Sequence, residues 1–322
     1  MTDYTRDIMA TLAPGIATLT SERRTRRDRL LGQLRKTAMV AGALALLLLF
    51  AGGGLFMLAL VGGVGFGAWL VNRTQKDWEE KVRAEIIPPV CAALGDLHYQ
   101  PKPADENFLA PFDALGLVGE HNRQVLEHYF SGSDQGRRFE CLHARLNFQT
   151  KGKRGTSIPV FHGMLFRIEH GSDVPAPVVI LPNVTTLKRQ TGKTLVELGN
   201  ADFDRTFLVS YDPTTIEGAA LVHTVVTPAL QTALLAINSD ESRETVNVAA
   251  LRVGFMYDSV YIGLSRWEQT STIGGLKVER PRRFLQTRLL LREQADVHEA
   301  VATMVEDITT VHRIIAALGN SA

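Results

Sequence analysis

The residues able to do chemistry are scattered along this chain, and spacing limits what each can do. Asp202 and Asp204 flank Phe203. Two carboxylates so close can share acid–base work or hold a divalent cation. No third acidic ligand lies near them in sequence, and Phe203 with Phe207 has the spacing of a buried pair. The pair therefore reads as a capped turn before a strand. Gly192-Lys193-Thr194 has the form of the end of a phosphate-binding loop. Such a loop needs glycine five residues before Gly192, and Leu187 stands there, so that reading is rejected.

Nine histidines are spread over the chain: His98, His121, His128, His143, His162, His170, His223, His298 and His312. None forms HExxH or an i,i+4 pair. His143 and His162 fall on the two arms of one expected hairpin. Two imidazoles there could hold a metal, but with no third ligand they read as surface or hydrogen-bonded residues. Cys91 and Cys141 lie 50 residues apart with no CxxC partner, and read as small buried hydrophobes. No GxSxG elbow and no glycine-rich turn after a Rossmann strand occurs. The sequence thus supplies no catalytic residue, cofactor-binding residue or metal ligand set.

The elements around these residues begin with an uncharged stretch. Between Lys36 and Arg73 lie 36 residues without Asp, Glu, Lys, Arg or His, and eight of the 27 glycines. One straight helix of that length would span about 54 Å, far more than the ~30 Å hydrocarbon core. Gly52-Gly53-Gly54 breaks it into two arms, about 38–51 and 55–71. The stretch 37–72 is read as a transmembrane hairpin, with a single tilted or kinked span as the rival. Gly63 and Gly67, four apart, suit close helix packing, either within the hairpin or between copies.

Charge supports the hairpin. Residues 1–36 carry eight Lys/Arg against four Asp/Glu, and residues 73–322 carry 27 against 30. Arg23, Arg24, Arg26, Arg27, Arg29, Arg35 and Lys36 precede the first arm, and Arg73 and Lys76 follow the second. A hairpin puts both basic flanks on the cytoplasmic side, against a bilayer with anionic headgroups. The acidic remainder has no basic run with interleaved aromatics, so nucleic acid is rejected as a partner.

Four regions follow: a basic segment 1–36, the hairpin 37–72, a helical connector 73–130 and an α+β soluble domain 131–322. The connector is expected to be helical from Asp77, interrupted at Pro88-Pro89, extended at Tyr99–Pro103 and helical again over His121–Phe130. Leu142, Ala144, Leu146 and Phe148 alternate with polar neighbours, a half-buried strand. Lys151–Gly155 turns it into Val160–Ile168. Val178–Leu181 and Thr206–Tyr211 are short strands. Asp212-Pro213 and Thr227-Pro228 each start a helix. A second hairpin is expected, with Leu251, Val253 and Phe255 on one arm, a turn at Asp258-Ser259, and Ile262 and Leu264 on the other. A final helix from about Gln294 to Leu318 carries Val297, Val301, Met304, Ile308, Val311, Ile315 and Leu318 at heptad steps. The fold class is α+β, an antiparallel sheet with packed helices behind a transmembrane hairpin.

Three ordered stretches carry a family likeness: Tyr129-Phe130-Ser131-Gly132, Val160-Phe161-His162-Gly163-Met164-Leu165-Phe166, and Asp202 to Val209 continuing to Asp212-Pro213 and Val226-Thr227-Pro228. Over about residues 75–270 the chain resembles a bacterial family of membrane-anchored proteins classed as a domain of unknown function, some members of which carry the automatic label "galanin". His162 departs from the family, which has a basic residue there. The resemblance implies a bacterial inner-membrane location and two spans, and supplies no activity or catalytic residues.

The expectation is a membrane-anchored binding or scaffolding module at the cytoplasmic face, with a membrane-protein partner or a second copy of itself. The alternative is a membrane-tethered enzyme acting on lipid or envelope substrates. A transporter component is disfavoured, because the span holds no charge.

Overall fold

The computed structural model describes residues 3–50, 56–134, 136–150, 155–183, 194–212, 218–244, 251–265, 267–273, 276–281, 284–285 and 297–319. The chain divides into two units, Met1–Ala93 with Leu285–Ile308, and Leu94–Phe284 with Thr309–Ala322. The architecture is α+β: long helices, then an antiparallel sheet with further helices.

In the first unit, α1 (Asp3–Phe50) and α2 (Phe56–Ala93) are both longer than expected. The basic segment and the first apolar arm form one helix, because nothing between Ser21 and Ala38 breaks it. Its buried residues Ile8, Leu12, Ile16, Leu19, Arg23 and Leu30 recur at steps of three, four and seven, a seam of helical period. Pro14 lies inside it. Pro88 and Pro89 do not interrupt α2, which runs on to Ala93. Each proline loses a backbone donor, but buried Ile86, Ile87, Val90 and Cys91 on the same turns hold the helix in place. The glycine run Gly52-Gly53-Gly54 lies outside the described residues.

The second unit is built on seven strands: β1 (Leu97–Gln100), β2 (Arg123–Asp134), β3 (Arg137–Gln149), β4 (Ser157–Pro182), β5 (Thr194–Val196), β6 (Phe207–Tyr211) and β7 (Leu251–Ser265). All pair antiparallel in the order β1-β2-β3-β4-β6-β5. β7 runs along the other edge of β4, from Gly163↔Ser265 to Ile180↔Val253. β8 (Trp267–Ile273) and β9 (Leu276–Pro281) form a separate ribbon.

Four expectations need correction. In the stretch His121–Phe130, expected as helix, Arg123–Phe130 is strand, so region 73–130 is helical only in part. The ladder to β3 shifts between Glu127 and Phe130 around His128, which has φ 56°. That bulge breaks the two-residue alternation by which a strand is recognised. Leu97–Gln100, expected partly as linker, is paired with β2. Val178–Leu181 is the far end of the 26-residue β4. The expected turn at Asp258-Ser259 is absent: β7 passes straight through with Tyr257 at φ 56°, and the register shifts there place extra residues on β4 between Glu169 and Val178.

The β3–β4 hairpin forms as expected, down to Gln149↔Ser157. Residues 151–154 of its turn, and Pro213 of the expected Asp212-Pro213 helix start, lie outside the described residues. Among the described residues four helices lie between these strands in the chain: α3 (Ala110–Ala114) after β1, α4 (Ala201–Thr206) after β5, and α5 (Gly218–Val225) and α6 (Pro228–Glu244) after β6. Thr227 caps α6, its hydroxyl accepting the Leu230 N–H at 3.2 Å. The last helix, α7 (Val297–Gly319), buries all seven seam residues named above.

One sheet face carries Leu142, Ala144, Leu146, Phe161, Leu165, Val179 and Leu181. It packs under the segment Phe108–Val118 and forms the main apolar core.

Candidate functional site

In the first unit the functional feature is the helix pair itself. A Cβ on Gly63 would stand 2.5 Å from Ala41 Cβ, and one on Gly67 would stand 3.5 Å from Leu34 Cδ2. Further along, Arg26 lies over the Trp78 ring at 5.9 Å and Lys81 Nζ bonds the Glu22 carboxylate. As residue numbers rise on α2 they fall on α1, so the two helices pack antiparallel. Gly63 and Gly67 face α1, while Gly62 and Gly65 have open space around them. Glu22 is held below the usual carboxylate range, chiefly by its bond to Lys81.

Large apolar side chains point outward from one zone of this pair. Met39, Val40, Leu44, Leu46 and Leu47 of α1 and Met57, Leu58, Leu60, Val61, Val64, Phe66 and Trp69 of α2 are all exposed, Val64 at 74%. These twelve leave only Val125, Ile158, Leu195 and Tyr257 as exposed large hydrophobics elsewhere among the described residues. Both helices are long and apolar enough to cross a membrane by length and composition.

The seven cations before this zone differ in placement. Arg24, Arg29, Arg35 and Lys36 are exposed, Arg23 is buried, and Arg26 pairs with Glu22 at 2.9 Å. Arg27 is half-buried. Beyond the zone on α2, Arg73 lies over the Trp69 ring at 5.4 Å.

The second unit offers a polar cleft of about 560 Å³, lined by Asp96, Ser131, Ser133, Arg138, Glu140, Arg167, Glu169, Asp258 and neighbours. Among the described residues it is the uncovered continuation of the core face. The cap ends in an aromatic wall, where Phe108 meets Tyr129 edge-on at 6.3 Å and Phe112 meets Tyr261 at 5.4 Å. Past that wall Glu140 stands opposite Arg167 in register. By the same register Arg138 faces Glu169, giving a checkerboard of charge across β3 and β4. Tyr129 donates its hydroxyl to Glu140 at 2.5 Å, and Arg167 reaches the other oxygen at 3.5 Å. Burial first, then Glu140, pushes the Tyr129 phenol above its usual range. Ser133 donates to Asp96 at 2.7 Å and holds that carboxyl low. Glu169 accepts the Arg138 backbone N–H at 3.2 Å. Gly132 is required here, since any Cβ would run into the Asp96 carbonyl. The cleft thus presents fixed carboxylates beside two arginines, a lining suited to a polar, charged ligand. Sequence reasoning missed it because its residues come from four strands, β2, β3, β4 and β7, and the turn before β1, with no local spacing to mark them.

The residues singled out from sequence lie elsewhere. Asn200 caps α4, accepting the Phe203 N–H at 3.3 Å, and Asp204 accepts the Leu198 and Gly199 N–H groups at 3.0 Å each. Asp202 pairs with Arg205 at 2.7 Å on the surface. Gly192 and Lys193 fall outside the described residues. Cys91 and Cys141 are both buried, and burial pushes the Cys91 thiol up to about 12. Of the two expected readings of His143 and His162, surface or hydrogen-bonded, the structure shows the second. Both are buried, with their Nε2 atoms 3.2 Å apart. No family model matches the chain, and neither a curated protein nor a solved structure does.

Proposed function

We propose that this chain is a membrane-anchored binding module, held in a bacterial inner membrane by the α1–α2 hairpin with its sheet unit in the cytoplasm. One observation carries the anchor: the sheath of outward-facing apolar side chains over Met39–Leu47 and Met57–Trp69. In water such a patch is far larger than a soluble protein tolerates. In lipid it is the expected surface, and continuous helices satisfy every backbone group there.

The antiparallel packing returns the chain to the side it started from. Trp69, Arg35, Lys36 and Arg73 would then lie at the headgroup level, where amphipathic rings and cations anchor a helix. From Lys36 to Phe50 the helix rises about 21 Å. Crossing a ~30 Å core therefore needs the turn residues and some local thinning of the bilayer. Arg23 lies a further ~20 Å down α1 from Lys36, beyond the ~8 Å reach of screened charge. Arg35 and Lys36 are accordingly the lipid-facing members of the basic set, and Arg23 and Arg26 serve the helix pair.

The sheet unit is proposed to bind a membrane-protein partner or a second copy through its polar cleft. An enzyme acting on lipid or envelope substrates remains the alternative. It would have to work from the cleft carboxylates, because Asp204 is occupied by backbone N–H groups and Asp202 by Arg205.

A reporter active only in the cytoplasm, fused after Ala322, tests the topology: activity is expected, and a C-terminus outside the membrane refutes the hairpin. A photo-crosslinking residue at Arg138 tests the binding reading. A discrete adduct to a membrane protein or to a second copy is expected, and absence of any adduct in intact membranes overturns it.

A further inference from the structure

The sheet face opposite the Phe108–Val118 cap carries Cys141 and His143 on β3, and His162, Met164 and Phe166 on β4. These side chains are shut away from water: His143 is 3% exposed, His162 5% and Met164 1%. His143 and Met164 stand directly opposite each other in register, which brings their Cβ atoms to about 4.5–5.5 Å. His162 precedes Met164 by two residues and so shares its face. The two imidazoles meet edge to face with centroids 4.8 Å apart, and Phe284 stacks on His143 at 5.9 Å.

We propose that His143, His162 and Met164 form a binding site for a soft monovalent cation, cuprous copper. The 3.2 Å between the two Nε2 atoms carries the geometry. Two metal–imidazole bonds of about 2.0 Å closing on that separation subtend about 106°, close to a tetrahedral angle. The choice of ion follows from charge and softness. Neutral imidazole and thioether ligands bring no charge of their own to offset the ion's. A divalent ion would bring two charges into an apolar interior, and among the described residues no three His, Cys, Asp or Glu gather to hold it. A structural zinc site needs such a set, and uncompensated buried charge is expensive. A single charge costs less, and thioether sulfur selects cuprous copper over zinc.

Without metal, the same separation is a hydrogen bond in which one imidazole donates its Nε2–H to the other. Copper replaces that bond: the donating ring carries its proton on Nδ1 instead, both Nε2 lone pairs turn to the ion, and no net proton leaves the pair. The site is independent of the anchor and of the polar cleft.

The test titrates the purified full chain, in detergent and under anaerobic reducing conditions, with cuprous ion against a chromophoric cuprous chelator. Zinc is titrated in parallel. One equivalent of copper is expected, with nitrogen and sulfur in its X-ray absorption shell. His143→Ala and His162→Ala are expected to abolish uptake. Met164→Leu, which keeps the side-chain volume, is expected to remove the sulfur shell with an unchanged circular dichroism spectrum. This last variant keeps the test decisive if a histidine variant fails to fold. Absence of stoichiometric copper uptake by the natural chain overturns the proposal. So does uptake unaltered by Met164→Leu, or zinc binding as tight as copper.

Discussion

Gly63→Ala is the sharpest test of the helix pair. The new methyl would lie 2.5 Å from Ala41 Cβ, whereas non-bonded carbons settle at about 3.5–4.0 Å. The helices must separate by about 1–1.5 Å there, or tilt. Alanine recovers up to about 1 kcal/mol of helix propensity over glycine, while overpacking costs about 1–3 kcal/mol. With the full propensity gain the net expectation is a loss of up to about 2 kcal/mol, and Gly63→Ala falls below Gly62→Ala by the overpacking cost of about 1–3 kcal/mol. Gly62→Ala is the control: open space surrounds that position, so only the propensity gain applies. Ala41→Gly added to Gly63→Ala moves the methyl from one helix to the other and is expected to restore stability. Unfolding of the detergent-solubilised chain by dodecyl sulfate, followed by circular dichroism and tryptophan fluorescence, reads all three variants. The antiparallel packing is refuted if Gly63→Ala is as stable as Gly62→Ala, or if the second substitution brings no recovery.

Three further expectations concern the sheet unit. Gly163→Ala drives a Cβ into the Leu264 carbonyl on β7, so backbone must shift; a loss above about 3 kcal/mol in chemical denaturation is expected. Tyr129→Phe strands one Glu140 oxygen and is expected to cost about 1.5–3 kcal/mol. In the natural chain, spectrophotometric titration should find one tyrosine ionising above the usual range, and that phenol should be absent from the variant. His170 is held below its usual 6.5 by burial first and then by Arg137. The unfolded chain therefore binds more protons than the folded one below that value. Stability falls as pH drops through about 6.5 toward the folded pKa, and melting curves of His170→Gln should lose this slope.

Much of the local architecture was legible because it depends on short-range rules. The uncharged stretch, the alternation in β3, the heptad seam of α7 and the Thr227-Pro228 cap each show in a window of a few residues. The misreadings fall where a non-local pairing overrides such a window. β2 read as helix because the bulge at His128 shifts its side chains out of alternation. β7 read as a hairpin because Asp258-Ser259 resembles a turn, although a 15-residue strand alongside β4 satisfies its backbone better. The N-terminal helix was missed because Arg23 occupies a place in its buried seam.

The sites divide in the same way. Sequence by itself determined that 36 residues near the N-terminus lack any charge, that a glycine run lies among them, and that cations flank both ends. These are properties of composition, and composition sets what a segment costs to place in water. Which glycines face the partner helix and which face outward was decided only by tertiary packing, because the rotation of one helix against another is fixed by side chains far apart in the chain. The same holds for the cleft and the histidine pair. Glu140 meets Arg167, and His143 meets His162 and Met164, only through the register of β3 on β4. A slip of one residue would turn each of those side chains to the opposite face.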